Sequence, residues 1–251
     1  MKPIACLFLA LLAGATTGLA QTRIEKSVPI RAGQRLVLNV DYPDVQLQTW
    51  DKPDIQITGT ASINRGEHDD AFQLDIASTS EAVTVTSQLK DKDRIPERIL
   101  IKRDEQEYFF KTADFHDPEV QKFLAEKSGD YAFRSTGVHQ EIKLTIFVPR
   151  HTPVEVNAKY GVLEAVGVGS PLKAVSKYGV VDVTVAQAFA GSIVARCQYG
   201  EILTNLDAKF DRATGTTKSD KRWTEISTRL GSGPAYHLES KYGNVYVRKS
   251  K

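Results

Sequence analysis

Cysteine is scarce in this sequence, which excludes a disulfide framework. Of the two cysteines, Cys6 lies within the first twenty residues and Cys197 lies far along the chain. If a leader is removed from the N-terminus, Cys197 has no partner in the same chain. We therefore expect Cys197 to be a buried, unreactive thiol, and the fold to depend on packing and hydrogen bonds.

Long hydrophobic runs are also missing beyond the first twenty residues, where no segment approaches the ~20 apolar residues needed to span a bilayer. The apolar run that does occur, 4–13, follows Lys2 and leads to Gly18-Leu19-Ala20, with small side chains where a signal peptidase reads. Residues 1–20 are therefore predicted to be a signal peptide. The mature chain is expected to be exported to the periplasm, the cell surface or the medium, and not to span the membrane.

An excess of charge of one sign is lacking, since 33 basic residues face 31 acidic ones. Without a basic stripe of the usual kind, we expect no nucleic-acid partner. The five histidines show no metal-binding spacing, and no Gly-x-Ser-x-Gly motif occurs. The acidic run 67–70 is more simply a solvated loop than a cation site. These absences predict a protein that is not an enzyme and carries neither cofactor nor metal.

The sequence does contain an internal repeat. An aromatic residue followed by Gly, with Lys or Gln before it, recurs in four segments, and a weaker copy centres on Trp223. The aromatic positions are Tyr160, Tyr178, Tyr199, Trp223 and Tyr242. The spacing is about 20 residues and the content is strand-like, a combination typical of a β-solenoid.

Alternation within each copy predicts which side chains face inward. Three residues after each aromatic stands a branched apolar residue, and these are expected to form one interior column: Leu163, Val181, Ile202, Ile226 and Val245. The position two residues before the aromatic is small in four of five copies and is expected to face inward. Stacked coils would place the tyrosines in a column, and 41–47 repeats the pattern more faintly around Tyr42.

Residues 89–138 interrupt the repeat with a charged, aromatic-rich segment. Its best helix candidate is 118–127, with Asp117 as a cap and Gly129 as a terminator. We interpret the segment in two ways, as a cap that packs on the solenoid or as an exposed surface that binds a partner. In the second case the candidate partner-binding residues are Tyr108, Phe109, Phe110, Phe115 and Phe123.

Three stretches of the sequence carry a resemblance to a known family: 50–55, 144–156 and the recurring Lys-Tyr-Gly units. Together they resemble the DUF4097 putative-adhesin family, which is related to the head domains of auto-transporter adhesins. The resemblance covers most of 24–88 and 139–251 but not 89–138. It implies an exported β-helix-like domain without catalytic residues.

The predicted organisation is therefore a signal peptide (1–20), an N-terminal β-strand region of the adhesin-like domain (21–88), a partly helical insertion (89–138) and β-solenoid repeats (139–251). The fold class is all-β. The predicted function is an adhesin-like binding or scaffolding domain of the bacterial cell envelope, with an envelope protein or a surface glycan as partner. Two alternatives are a polysaccharide lyase-like β-helix enzyme and an envelope-regulatory partner protein.

The repeated lysines 159, 177 and 241 have two interpretations. A basic row on one face of a β-helix could bind an acidic polysaccharide. Lysines beside turns are more ordinarily solvated and discourage edge pairing between chains. The sequence favours the second interpretation.

The leader prediction is tested on the exported protein. We expect N-terminal sequencing of the secreted or periplasmic chain to begin at Gln21, because cleavage follows Ala20. A mature chain that still starts at Met1 would contradict export through this segment.

Overall fold

The computed structural model describes residues 21–103, 105–126, 133–216 and 222–250. The predicted signal peptide and the predicted helix terminator Gly129 lie outside these residues. Within them the chain is mostly β-strand, which confirms the all-β prediction at that level.

Twenty strands are described. The first ten, in chain order, are β1 (Thr22–Pro29), β2 (Arg35–Val40), β3 (Asp44–Trp50), β4 (Asp54–Ile63), β5 (Phe72–Ser78), β6 (Ala82–Leu89), β7 (Arg98–Arg103), β8 (Gln106–Phe110), β9 (Phe133–Gly137) and β10 (Gln140–Pro149). The other ten are β11 (Val154–Ala158), β12 (Val162–Val166), β13 (Leu172–Ser176), β14 (Val180–Val185), β15 (Ser192–Cys197), β16 (Ile202–Thr204), β17 (Asp211–Thr216), β18 (Arg222–Arg229), β19 (Tyr236–Ser240) and β20 (Val245–Lys249).

Helical structure is sparse in the described ranges. The α-helix α1 spans Pro118–Glu126, close to the predicted 118–127. The Asp117 carboxylate accepts a hydrogen bond from the Glu119 amide at 2.9 Å, as the predicted cap should. Three short 3₁₀ turns occupy Asp69–Ala71, Lys92–Arg94 and Gln187–Phe189. No helix among the described residues is both long and apolar enough to cross a membrane.

The described strands form three sheets. The first has the order β1-β4-β10-β3-β12-β14-β20-β16, the second β17-β18-β15-β19-β13-β11-β2-β6-β5, and the third β8-β7-β9. Regions 21–88 and 139–251 share both large sheets, since β3 lies between β10 and β12, and β2 lies between β6 and β11. These two regions therefore build one body, and the third sheet belongs to the insertion.

Parallel pairing dominates where the repeats lie. In the first sheet Val45 pairs with Leu163, Leu163 with Val181, Val181 with Val245, and Val245 with Ile202. Leu163, Val181 and Val245 are almost completely buried, and Ile202 is half-buried. The predicted interior column is confirmed for these four repeat positions, and Val45 extends it as the fainter pattern around Tyr42 suggested.

The predicted column is wrong at one position, Ile226, and the structure adds a spatial order that the sequence did not predict. Ile226 lies in β18, where it pairs antiparallel with Ala195 in the second sheet. The spatial order also differs from the chain order, because β19 and β20 insert between the second and third repeats. The physical reason is that β17 and β18 form an antiparallel hairpin along the edge of β15. The last repeat therefore pairs between β14 and β16 rather than beside the Trp223 copy.

The main core fills the space between the two large sheets. Its fully buried side chains come from alternate positions of strands in both sheets, as in β14 and β15, where every second residue is buried. A second, separate cluster lies within the insertion and contains Ile99, Ile101, Phe110 and Val120. The insertion therefore has a small core of its own.

The core assignment is tested with a buried carboxylate. Val181→Asp should reduce the free energy of unfolding by at least about 3 kcal/mol, because an unpaired charge replaces an isopropyl group with no exposure to solvent. Thr184→Asp on the opposite face of β14 is the matched control and should change it by less than about 1 kcal/mol. Equal melting temperatures for Val181→Asp and the parent would contradict the inward assignment.

Candidate functional site

Five tyrosines form a continuous stack at the corner where the second sheet passes into the first. In spatial order the tyrosine ladder is Tyr42, Tyr160, Tyr178, Tyr242 and Tyr199. Successive ring centroids are 5.8, 5.1, 5.0 and 4.9 Å apart, and the planes of adjacent rings differ by 14° or less. The predicted column of tyrosines is confirmed, with Tyr242 between Tyr178 and Tyr199. Each stacked pair contributes about 0.5–1.5 kcal/mol beyond area burial.

The ladder is open to solvent along one edge. Exposed fractions are 40% for Tyr160, 43% for Tyr178, 42% for Tyr242 and 52% for Tyr199. Because neighbouring rings cover much of each ring face within the stack, solvent reaches mainly the ring edges. This corner therefore presents a long, regular surface rather than a pocket.

Lysines run beside the tyrosine ladder. The ammonium groups of Lys159, Lys177 and Lys241 lie 5.5, 4.9 and 5.2 Å from the ring centroids of the tyrosines that follow them. Distances below about 6 Å allow a cation–π attraction. We call these three side chains the lysine row.

Lys92 extends the positive charge to one end of the tyrosine ladder. Its ammonium lies 5.4 Å from the centroid of the Tyr42 ring. A hydrogen bond to the Tyr42 side chain raises the pKa of Lys92. The role of Lys92 was not evident from the sequence, because it lies outside the repeat, in the 3₁₀ turn that opens the insertion.

Close approach of the backbones explains why glycine follows each tyrosine from Tyr160 on. A Cβ added to Gly179 would overlap the carbonyl oxygen of Gly161, and one added to Gly243 would overlap that of Gly179. Gly200 stands in the same relation to Gly243. Gly161 faces the Pro43 carbonyl, at 2.6 Å from where its Cβ would be, and has φ +83°. Only glycine lets the coils approach this closely.

Buried hydroxyl and thiol groups hold the same corners from inside. Ser176 Oγ accepts the Gly179 amide at 2.9 Å, and Ser240 Oγ accepts the Gly243 amide at 2.9 Å while donating to the Gly179 carbonyl at 2.8 Å. Cys197 repeats this pattern, with its Sγ 3.1 Å from the Gly200 amide nitrogen and 3.2 Å from the Gly243 carbonyl oxygen. The inward position was predicted, but its hydrogen-bonding role was missed. The recurrence of Ser and Cys rather than Ala was the available signal.

Cys197 lies where the sequence placed it. Its side chain is buried, with 1% exposure, and burial raises the pKa of the thiol. Both effects disfavour the reactive thiolate. The prediction that Cys197 is buried is confirmed.

The opposite corner of the large sheets holds a cleft of about 600 Å³, lined by the turns 30–34, 50–53 and 149–153. Here the first two stretches of the family resemblance meet: the Trp50 ring stacks on Phe147 at 5.3 Å, and Arg150 forms an ion pair with Asp51. This pair lowers the pKa of Asp51. The Trp50 indole N–H donates to the Asp54 carbonyl at 2.8 Å. These motif residues thus fix the turns against each other.

The five aromatic residues proposed as a partner surface lie in the insertion. Phe110 is buried and the other four are half-buried. Tyr108 and Phe110 pack on Phe123, with ring centroids 4.5 and 5.4 Å apart, and Phe115 packs on the same small core. Phe109 instead contacts His139 edge-on, with Arg65 over its ring. Most of this aromatic content therefore serves the insertion's own core, and a partner-binding role for it stays a prediction.

Polar contacts join the insertion to the main body. Glu67 pairs with Lys111 at 2.9 Å and with Arg98 at 3.0 Å, and the Lys111 hydrogen bond is the largest cause of its lowered pKa. The buried Asn64 donates to the Pro96 carbonyl at 2.7 Å and accepts the His139 amide at 3.0 Å.

The acidic run 67–70, considered above as a weak cation site, serves structural contacts instead. Asp69 accepts the amides of Ile63 and Thr22, and Glu67 is occupied by its two cations. In the described ranges no group of three or more His, Cys, Asp or Glu residues is placed to hold a metal ion.

Comparisons with known proteins give only distant structural neighbours. No family model and no curated protein matches the chain. A putative cell adhesion protein from Clostridium sporogenes aligns over 92% of this chain and 100% of its own, with 8% identity and a TM-score of 0.49. A putative adhesin from Bacteroides fragilis aligns over 92% of this chain and 99% of its own, with 10% identity and a TM-score of 0.21. Likenesses this weak do not indicate what the chain does.

The close approach at the corner is tested with an added methyl group. Gly179→Ala should lower the free energy of unfolding by about 1–3 kcal/mol, because its Cβ would overlap the Gly161 carbonyl. Gly169→Ala is the control, since the nearest atom to its Cβ is 4.0 Å away, and should stay within about 0.5 kcal/mol of the parent. Similar losses in both variants would argue against a backbone contact specific to the ladder.

The separate core of the insertion predicts that it can be removed. Arg98 and Gly137 are paired neighbours, so a short Gly/Ser linker can join residues 97 and 138. We expect the shortened chain to remain folded by circular dichroism and to keep the parent's oligomeric state by size-exclusion chromatography, because the main core lies between other strands. Aggregation would instead show that the insertion covers the main core.

Proposed function

We propose that the chain is an exported, non-enzymatic, adhesin-like binding or scaffolding domain of the bacterial cell envelope. The tyrosine ladder and the lysine row would form its recognition surface. The observation that carries the proposal is the ladder itself, five stacked rings with a solvent-open edge and a row of cations beside it.

Rigidity supports a binding role for this surface. Each tyrosine of the ladder is restrained by its stacked neighbours, and each Tyr-Gly corner by close backbone contacts. Side chains that are already ordered lose little conformational entropy when a ligand binds. Tyrosine also offers apolar area together with a hydroxyl group at small entropic cost.

We further infer that the two parallel arrays form an open β-solenoid with two strands per coil. Four strand pairs support this: β11 with β12, β13 with β14, β15 with β16, and β19 with β20 each place one strand in either large sheet. The Val162–Val180 pairing corresponds to a coil of 18 residues. Solenoids present long regular faces, which suit extended ligands.

The export component of the proposal rests on the sequence of residues 1–20. A polysaccharide lyase is the main alternative, because Tyr and Lys side chains can act as proton acceptors and neutralise a uronate. An envelope-regulatory protein that docks a partner through the insertion is the other. Each alternative predicts a different result in one experiment.

The experiment measures binding of labelled mature chain, residues 21–251, to isolated bacterial envelopes. Lys177→Glu/Lys241→Glu should weaken binding at least tenfold, because it reverses the charge at the centre of the lysine row. Lys26→Glu/Lys209→Glu changes net charge equally at exposed positions elsewhere and should bind like the parent.

Envelope binding that is unaffected by the ladder variant but lost on removal of the insertion would replace this proposal with the envelope-regulatory one. Release of unsaturated sugars from the envelope glycans by the parent chain would replace it with the lyase. Absence of any envelope binding would overturn the proposal.

A further inference from the structure

The lysine row lacks the ion pairs that several other lysines on this surface form. Lys111, Lys143 and Lys173 each lie within 3.1 Å of a glutamate oxygen. None of the ion pairs found among the described residues involves Lys159, Lys177 or Lys241. Among the residues that the structure describes, the lysine row therefore has no carboxylate within 4 Å, and its ammonium groups lie against the tyrosine rings.

Spacing makes this arrangement unfavourable in the free protein. Lys159, Lys177 and Lys241 stand at equivalent positions of adjacent coils, whose tyrosine rings are 5.1 and 5.0 Å apart. Like charges on directly neighbouring strands destabilise a sheet. A ligand that brings one negative charge per coil would remove this repulsion.

The tyrosine ladder restricts the kind of ligand further. Within the ladder, ring faces are covered by neighbouring rings and by the lysine ammonium groups, so a ligand meets mainly hydroxyl groups and ring edges. Nucleic-acid bases stack on open aromatic faces, so they would gain little binding energy here. This disfavours single-stranded nucleic acid as the ligand. A hydroxyl-rich polymer with regularly spaced carboxylates could hydrogen-bond to the tyrosine hydroxyl groups and pair its carboxylates with the lysine row.

We propose that the tyrosine ladder and lysine row bind a linear acidic polysaccharide of the uronate type, lying across the strands with its carboxylates on the lysines. A sugar ring is similar in length to the separation of two strands, about 5 Å. The proposal rests on the proposed function and names the ligand class of its recognition surface.

Acidic residues are found in the two end coils of the ladder. Asp41 and Asp44 flank Tyr42, where Lys92 supplies a cation, and Glu201 follows Tyr199 by two residues. The Asp44 and Asn244 side chains accept the amides of Val162 and Glu201, at 2.7 and 2.9 Å. The corner segments 159–162, 177–180 and 241–244, which carry the lysine row, contain no Asp or Glu. At about 5 Å for each coil, they would hold about three or four sugar rings.

The test compares two polymers with the same backbone. Binding of the mature chain to polygalacturonate is measured by calorimetry at low and at physiological salt, beside fully methyl-esterified polygalacturonate, which is neutral. We expect binding to the acid form only, weakened by salt. Changing Lys159, Lys177 and Lys241 together to Gln should weaken it about tenfold, since exposed charge pairs contribute modestly each.

A matched variant separates position from net charge. Lys26, Lys122 and Lys209 are exposed lysines away from the ladder, and changing all three to Gln should leave affinity within about twofold of the parent. Thermal melting of both variants confirms folding. Equal weakening by the two triple variants, equal binding of the neutral polymer, or tighter binding of a single-stranded DNA oligomer through the same lysines would each overturn the acidic-polysaccharide assignment.

The same measurements distinguish this inference from the broader function. If the chain binds envelopes through the tyrosine ladder but does not bind polygalacturonate, the adhesin-like proposal stands and the uronate ligand is wrong. If the chain binds neither polygalacturonate nor envelopes, the adhesin-like function and the uronate ligand are both wrong.

Discussion

The contact between glycine backbones at the Tyr-Gly corners is the constraint from which much of the architecture follows. Where Gly179 faces the Gly161 carbonyl and Gly243 faces that of Gly179, there is no room for a Cβ atom. Adjacent coils can then keep the normal separation of hydrogen-bonded strands through the bend. The tyrosines that precede these glycines are brought to stacking distance as a consequence, and the lysines beside them occupy equivalent positions of adjacent coils.

Buried polar groups make this corner possible. A tight bend inside a protein leaves amide groups without strand partners, and each unsatisfied group is costly. Ser176, Ser240 and Cys197 accept the amides of the glycines three residues later. Ser240 and Cys197 also contact the carbonyl of the neighbouring coil. The interior of the corner thus links the coils to one another, and the exterior is left to present tyrosine and lysine.

The insertion is stabilised by a small core of its own and attached to the main body by polar contacts. Its helix and three-stranded sheet enclose a small core around Ile99, Phe110 and Val120, and polar contacts at Glu67 and Asn64 attach it to the main body. It nevertheless reaches the tyrosine ladder through Lys92, whose ammonium lies by the Tyr42 ring. A segment that looks separate in sequence therefore supplies the terminal cation of the ladder.

The sequence by itself determined the strand-rich class, four of the five positions of the inward column, the stacking of the tyrosines, the burial of Cys197 and the start of the short helix. Each of these follows from local periodicity, from the recurrence of Tyr-Gly, or from capping chemistry. Tertiary structure alone decided the order of the coils, because the repeats have similar sequences and their local pattern does not specify which of them pair. It also decided that the Trp223 copy leaves the stack for a hairpin and that Lys92 joins it, since both depend on pairings between distant segments.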